Sequence, residues 1–166
     1  SLRTFLPRYD DSRMLPLFTV ASKAMNAKTG KLFELTSEIL RRTRYDDRPP
    51  GKTLLARHHA MLDAEVKGNG YPVASRRFAS FTGNQGMFGE QTAGLTYYWF
   101  ISRLLKEFDN RGAEIAATLH EVAGILFRRG NLTAAMTGDG TDRQGFDRGL
   151  ANLAGCLPGG RAEPQE

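Results

Sequence analysis

The chain has 166 residues, 40% of them hydrophobic, with 23 Lys and Arg against 18 Asp and Glu for a net charge of +5. This composition allows one ordinary core and excludes a wholly disordered chain. Cys156 is the single cysteine, which excludes an intrachain disulfide and leaves too few ligands for a cysteine-based zinc site. No apolar run approaches the ~20 residues needed to span a bilayer, and the N-terminus lacks the layout of a signal peptide, so a soluble protein without membrane partners is expected.

The chain opens Ser1-Leu2-Arg3 within a strand-like run and without an initiator methionine, as expected of a piece of something longer. Leu2 to Tyr9 and Met14 to Met25 are both β-compatible and flank Asp10-Asp11-Ser12-Arg13, a turn composition, so a β-hairpin is expected. In the second run, Leu15, Leu17, Thr19 and Ala21 alternate with Phe18, Val20 and Ser22, which predicts an internal strand covered on both faces. From Lys28 to Thr43 the period becomes helical, with Leu32, Leu35, Ile39, Phe33 and Leu40 as the expected apolar stripe.

Asp46 to Gly51, with Pro49-Pro50, reads as a break, and a second helix is expected from about Lys52 until Gly68, Gly70 and Pro72 interrupt it. A short helix follows from Val73 to Phe81. Gly83 to Gly89 lacks the Lys and Ser/Thr of a phosphate-cradling loop and reads as a plain loop. Two amphipathic helices, Thr92 to Phe108 and Ala113 to Phe127, are expected on either side of a joint at Asp109 to Gly112. Asn131 to Thr137 alternates like a strand, Gly138 to Thr141 like a turn, and Phe146 to Leu157 closes the chain as a helix. The order predicts an α+β fold: a small, mainly antiparallel sheet covered by several amphipathic helices, in a single domain over residues 1–157 with a disordered tail at 158–166.

The basic doublets Arg41-Arg42, Arg76-Arg77 and Arg128-Arg129 are scattered among acidic residues. A nucleic-acid footprint would concentrate on one face, so a solvated surface is the expected reading and nucleic acid is not an expected partner. His58 and His59 are adjacent and project about 100° apart on a helix, so they cannot chelate one ion from a single face. His120-Glu121 begins a zinc-peptidase pattern, but Gly124 stands where the second His should be. No Gly-x-Ser-x-Gly elbow accompanies the serines. Tyr97-Tyr98-Trp99-Phe100 has helical spacing and is expected to pack in the core, with Tyr98 on a stripe with Leu95, Ile101 and Leu105. No catalytic, cofactor-binding or metal-binding residue is assigned.

Several short signatures nevertheless stand in register: Ser22-Lys23-Ala24-Met25, the Lys31 to Leu40 helix, Arg44-Tyr45-Asp46-Asp47, Gly70-Tyr71-Pro72-Val73-Ala74 with Arg77, Gly94 to Phe100, and Asn131-Leu132. Together they resemble the associated domain in the C-terminal half of presequence-protease-type zinc metallopeptidases, in the pitrilysin and insulysin superfamily. Tyr71 stands where that family commonly has His. The resemblance implies a long parent chain whose two related halves close around a peptide chamber, with zinc held in the N-terminal half by a His-x-x-Glu-His motif and a distal Glu. Neither that motif nor the Arg-x-x-Gly-Gly-Ala-Tyr-like run of the last domain occurs here.

The implied function is a noncatalytic scaffold and chamber wall of a metalloendopeptidase that degrades unstructured peptides. Its partner would be the remainder of the same chain, in the bacterial cytoplasm or an organelle matrix, and the piece alone would be inactive and hold no cofactor. The alternative is a stand-alone basic module for nucleic acid or an anionic protein.

Overall fold

The computed structural model describes residues 1–5, 14–138 and 143–160. The described elements are two strands, β1 (Leu2–Phe5) and β2 (Leu15–Phe18), and the helices α1 (Thr29–Arg42), α2 (Arg48–Gly68), α3 (Gly70–Ala79), α4 (Asn84–Ala93), α5 (Leu95–Leu126) and α6 (Arg143–Cys156), with short 3-10 turns at Asn26–Lys28 and Arg129–Asn131. The fold class is α+β. The chain divides into two compact units, one of Ser1–Thr19 with Asp46–Ala116, the other of Val20–Tyr45 with Ala117–Glu166.

In the first unit the expected hairpin forms, with β1 antiparallel to β2 and Leu2 opposite Phe18. The Ser1 ammonium donates to the Thr19 carbonyl at 2.9 Å, and the Thr19 N–H donates back to the Ser1 carbonyl at 2.7 Å. The expected turn at Asp10 to Arg13 lies outside the described residues. β2 stops at Phe18 rather than running to Met25, and Leu15 and Leu17 are exposed, so the internal strand expected from the alternation is not found. Because Ser1 and Thr19 exchange both bonds and hydrogen-bonded pairs alternate, Pro16 falls where an N–H would point away from β1. A proline is tolerated there.

Pro49 and Pro50 do not break the chain but start α2, because a helix needs no N–H from its first residues and the pyrrolidine ring presets φ. The Phe108 ring packs against the start of α2, 3.6 Å from where a Cβ on Gly51 would lie. The expected interruption at Gly68 to Pro72 is real, and α3 begins after Asn69.

The plain loop expected at Gly83 to Gly89 is instead the start of α4. Gly86 sits so close to the end of α3 that a Cβ would overlap the Ala79 carbonyl, so glycine here serves close packing rather than a loop. The expected joint at Asp109 to Gly112 is also absent, and α5 runs straight through it. A helical glycine costs about 1 kcal/mol relative to alanine. Here Gly112 is buried, with Phe108 and Arg48 placed 3.5 and 3.7 Å from where its Cβ would be. On the exposed side of the same turn, Arg111 bridges Glu107 and Glu114, one turn before and after it, which favours helix.

The second unit is built on α1 and α6. The Phe33 ring meets Phe146 edge to face at 5.4 Å and lies so tightly on Gly149 that a Cβ there would overlap it. Phe33, Leu153 and Leu157 form the buried set. The predicted stripe on α1 is therefore rotated: Phe33 is inside, but Leu35 and Ile39 are 47% and 65% exposed. The expected strand at Asn131 to Thr137 is not formed. Asn131 instead donates its side-chain amide to the Ile125 carbonyl at 2.9 Å, closing the end of α5. Next to it, Arg129 and Gly130 donate backbone N–H groups to the Pro158 and Gly160 carbonyls. Residues 139–141 of the expected turn and 161–166 of the expected tail lie outside the described residues.

The two readings of α1 separate by mutation. Phe33→Ala should cost about 3 kcal/mol, the scale for truncating a buried aromatic, whereas Ile39→Ala should stay within about 0.5 kcal/mol. Denaturant melts of the two variants test this, and equal losses would restore the predicted stripe.

Candidate functional site

The polar and aromatic groups of the first unit gather in two places, a seam between α2 and α5 and a clasp where α3, α4 and α5 meet. In the seam, α2 and α5 run antiparallel, as shown by the order of their partners. Lys52 pairs with Asp109 near one end, His59 meets Ser102 in the middle, and Asp63 meets Tyr98 nearer the other. His58 Nε2 and the Tyr97 hydroxyl share a hydrogen bond of 2.9 Å, and their rings meet edge to face at 5.7 Å. His59 stacks on Tyr98 with centroids 5.5 Å apart. The adjacency that kept the two histidines from a common ion thus lets each engage a different aromatic.

His59 Nε2 lies 2.9 Å from Ser102 Oγ, a spacing that would suit a nucleophile and its base. The local bonding points elsewhere. The Ser102 hydroxyl donates to the Tyr98 carbonyl at 2.8 Å, so its single proton is used and its oxygen is left to accept from the tautomer of His59 that carries its hydrogen on Nε2. In that arrangement His59 is a donor and not a base. The surrounding main-chain amides are already engaged within α5, which leaves no oxyanion-stabilising pair beside Ser102. Burial pushes the Tyr97 phenol up, keeping it neutral. These side chains join α2 to α5 along the seam.

Its charged end is Asp63. The carboxylate accepts from Lys67 Nζ at 2.6 Å and from the Tyr98 hydroxyl at 2.9 Å. The Lys67 ammonium first, and the Tyr98 hydroxyl second, hold the Asp63 carboxyl below its ordinary value, while Asp63 raises Lys67.

The clasp centres on Glu90, the buried charged side chain of the described core, only 3% exposed. One carboxylate oxygen, Oε1, accepts from Arg77 Nη1 at 3.1 Å, from the Thr96 N–H at 3.0 Å and from the Thr96 hydroxyl at 3.2 Å. The other, Oε2, has no hydrogen-bond partner among the described residues and occupies the space a Cβ on Gly94 would need. One residue of α4 thereby caps the N-terminus of α5, favourably aligned with the helix dipole, and ties it to α3. Arg76 adds a second tie by donating to the Ala93 carbonyl at 2.8 Å. Sequence reading singled out Arg77 and the run from Gly94 without connecting them. The signal that could have done so was Glu90, an acid placed shortly before a helix start marked by Gly94.

Of the other residues weighed from sequence, His120 faces the Tyr45 ring at 6.3 Å and Cys156 is an exposed free thiol. Ile101 is buried as expected, Tyr98 is only half-buried, and Trp99 and Phe100 are 53% and 47% exposed rather than core. Among the described residues no group of three or more His, Cys, Asp or Glu converges, and no helix is long and apolar enough to cross a membrane.

Residues 3–104 match the family of associated domains of peptidase family M16, subgroup C. The chain belongs to this family. That stretch contains the clasp and all of the seam but Asp109, and it bears out the resemblance at family level. Among curated proteins, this peptidase-associated chain is similar to Protein HypA of Clostridium perfringens, 27% identical over 143 residues, covering 86% of this chain and 14% of the relative. It is also similar to Presequence protease 1, chloroplastic/mitochondrial, of Arabidopsis thaliana, 26% identical over 139 residues, covering 84% and 13%. The chain thus spans about one seventh of the length of these relatives.

The site geometry makes two outcomes measurable. A carboxyl whose folded pKa is lowered contributes stability that is present above its unfolded value, near 4, and is lost as pH falls through the folded value. Asp63→Asn should therefore lower the melting temperature at neutral pH and make its fall on acidification shallower than in the wild type, and parallel acid limbs would contradict the Asp63 contribution. Arg77→Ala strands the buried Glu90 carboxylate and should cost about 2 kcal/mol, more than Arg76→Ala, as urea melts can show.

Proposed function

We propose that this domain is a noncatalytic scaffold of a zinc metalloendopeptidase, forming part of the wall that closes around an unstructured peptide. The observation that carries this reading is the family match over residues 3–104, together with relatives of which the matched stretch covers only 14% and 13%, one of them named a presequence protease. The domain's own polar groups support it. Glu90 is spent on a helix cap, and His58 and His59 are spent on hydroxyls. The water-activating Glu and the metal that polarises the scissile carbonyl would be supplied by the other half of the parent chain.

In this reading the seam and the clasp give the wall its stiffness, and that is what a closing chamber needs in order to hold a peptide within reaction distance while excluding water. The partner is the rest of the peptidase chain. The compartment is an organelle matrix, the plant relative being named chloroplastic/mitochondrial, or the cytoplasm of a bacterium.

The test has two arms. The 166-residue chain with added zinc should not cleave an unstructured peptide, and a full-length peptidase of the same family lacking the region that matches residues 3–104 should lose most of its turnover. Zinc-dependent cleavage by the chain that survives further purification, or full turnover by the deleted peptidase, would overturn the proposal.

A further inference from the structure

We infer that the outward face of α5 in the first unit is a docking surface for an acidic protein segment. Trp99, Arg103, Lys106 and Asn110 recur at spacings of four, three and four residues and so lie on one side of the helix. Ile101, Phe108 and Gly112, the buried residues of α5, lie on the opposite side. The sequence pattern does not require a tryptophan there, and its indole is 53% exposed with Phe100 beside it at 47%.

The charge on this face is not neutralised. In the same unit, Lys52 pairs with Asp109, Lys67 with Asp63, Arg76 with Glu65, Arg77 with Glu90, and Arg111 with Glu107 and Glu114. Arg103 and Lys106 are exposed and form no ion pair among the described residues. The nearest acid on their side of the helix, Glu107, is held by Arg111. An exposed aromatic beside two unpaired cations, within about 10 Å along the helix axis, is therefore left open on a unit that pairs many of its other charges.

The occupant that fits is a protein segment with an apolar side chain for Trp99 and two carboxylates one turn apart for Arg103 and Lys106. Tryptophan and arginine are the residue types that most often dominate interface energies. A nucleic acid fits less well, because its binding generally draws on several phosphate contacts, six to ten in strongly salt-dependent cases, and this face offers two cations. The inference does not depend on the scaffold reading, which rests on the family match.

Trp99 is the single tryptophan, so its emission reports directly on this face. The probe is a short synthetic helical peptide rich in Glu and Leu, titrated at low ionic strength. A saturable blue shift is expected, weakened roughly tenfold in Arg103→Glu/Lys106→Glu and suppressed by ~0.5 M salt, because rim charges act through screened attraction. Arg103→Gln/Lys106→Gln should fall between, and Arg41→Glu/Arg42→Glu, which alters a doublet in the other unit, should bind like the wild type. Circular dichroism shows whether each variant keeps its helices. No shift with the peptide, equal binding by the charge-reversed variant, or a shift produced by single-stranded RNA and not by the peptide would each overturn the inference.

Discussion

The first unit depends on one carboxylate. A helix as long as α5 begins with amides that no residue of its own can satisfy, and Glu90 satisfies the one on Thr96 from inside the protein. Burying a carboxylate is costly unless it is paired, and Arg77 supplies the pairing from α3. The two requirements hold each other in place: the charge that needs a partner is also the cap that fixes where α5 starts. Gly94 belongs to the same constraint, since any side chain there would displace the carboxylate oxygen that fills its space.

This geometry explains why the sequence was legible in some places and opaque in others. The hairpin, α1 and the interruption at Gly68 to Pro72 were readable because local propensity and tertiary structure agree there. The errors cluster at glycine and proline, where tertiary contacts override the local signal. Gly86 and Gly112 look like loop and joint, but Gly86 packs on the Ala79 carbonyl and Gly112 is buried with Arg48 of α2 3.7 Å from where its Cβ would be. Pro49-Pro50 looks like a break but occupies the first turn of α2. The alternation of Met14 to Met25 reads as a doubly covered strand, yet the strand spans Leu15–Phe18, and exposed apolar side chains remain. The site was legible only as separate pieces, because what joins Arg77 to Thr96 is a side chain at position 90 that no periodicity marks.

The family signatures take on a physical meaning in this light. Arg77 and the run from Gly94 to Phe100 surround the clasp and one side of the α2 to α5 seam, so two of the signatures fix the junction of three helices. The polar groups best placed for chemistry are already engaged: Ser102 donates to a main-chain carbonyl, His59 to Ser102, and Glu90 accepts at the head of α5. Such an arrangement ties the helices to one another, which is the property the proposed chamber wall requires. Trp99 departs from that pattern by facing outward, and that exposure is the basis for an interaction surface on the same helix.

The claim that a buried carboxylate sets the start of α5 is tested most directly by hydrogen exchange at the Thr96 amide. An amide at that position of a helix has no intrahelical partner and normally exchanges quickly. If Glu90 caps it as described, the Thr96 amide should be protected like the interior amides of α5, and Glu90→Ala should return it to fast exchange while the amides around Phe108 change less. Fast exchange at Thr96 in the wild type, or protection unchanged in Glu90→Ala, would contradict the account.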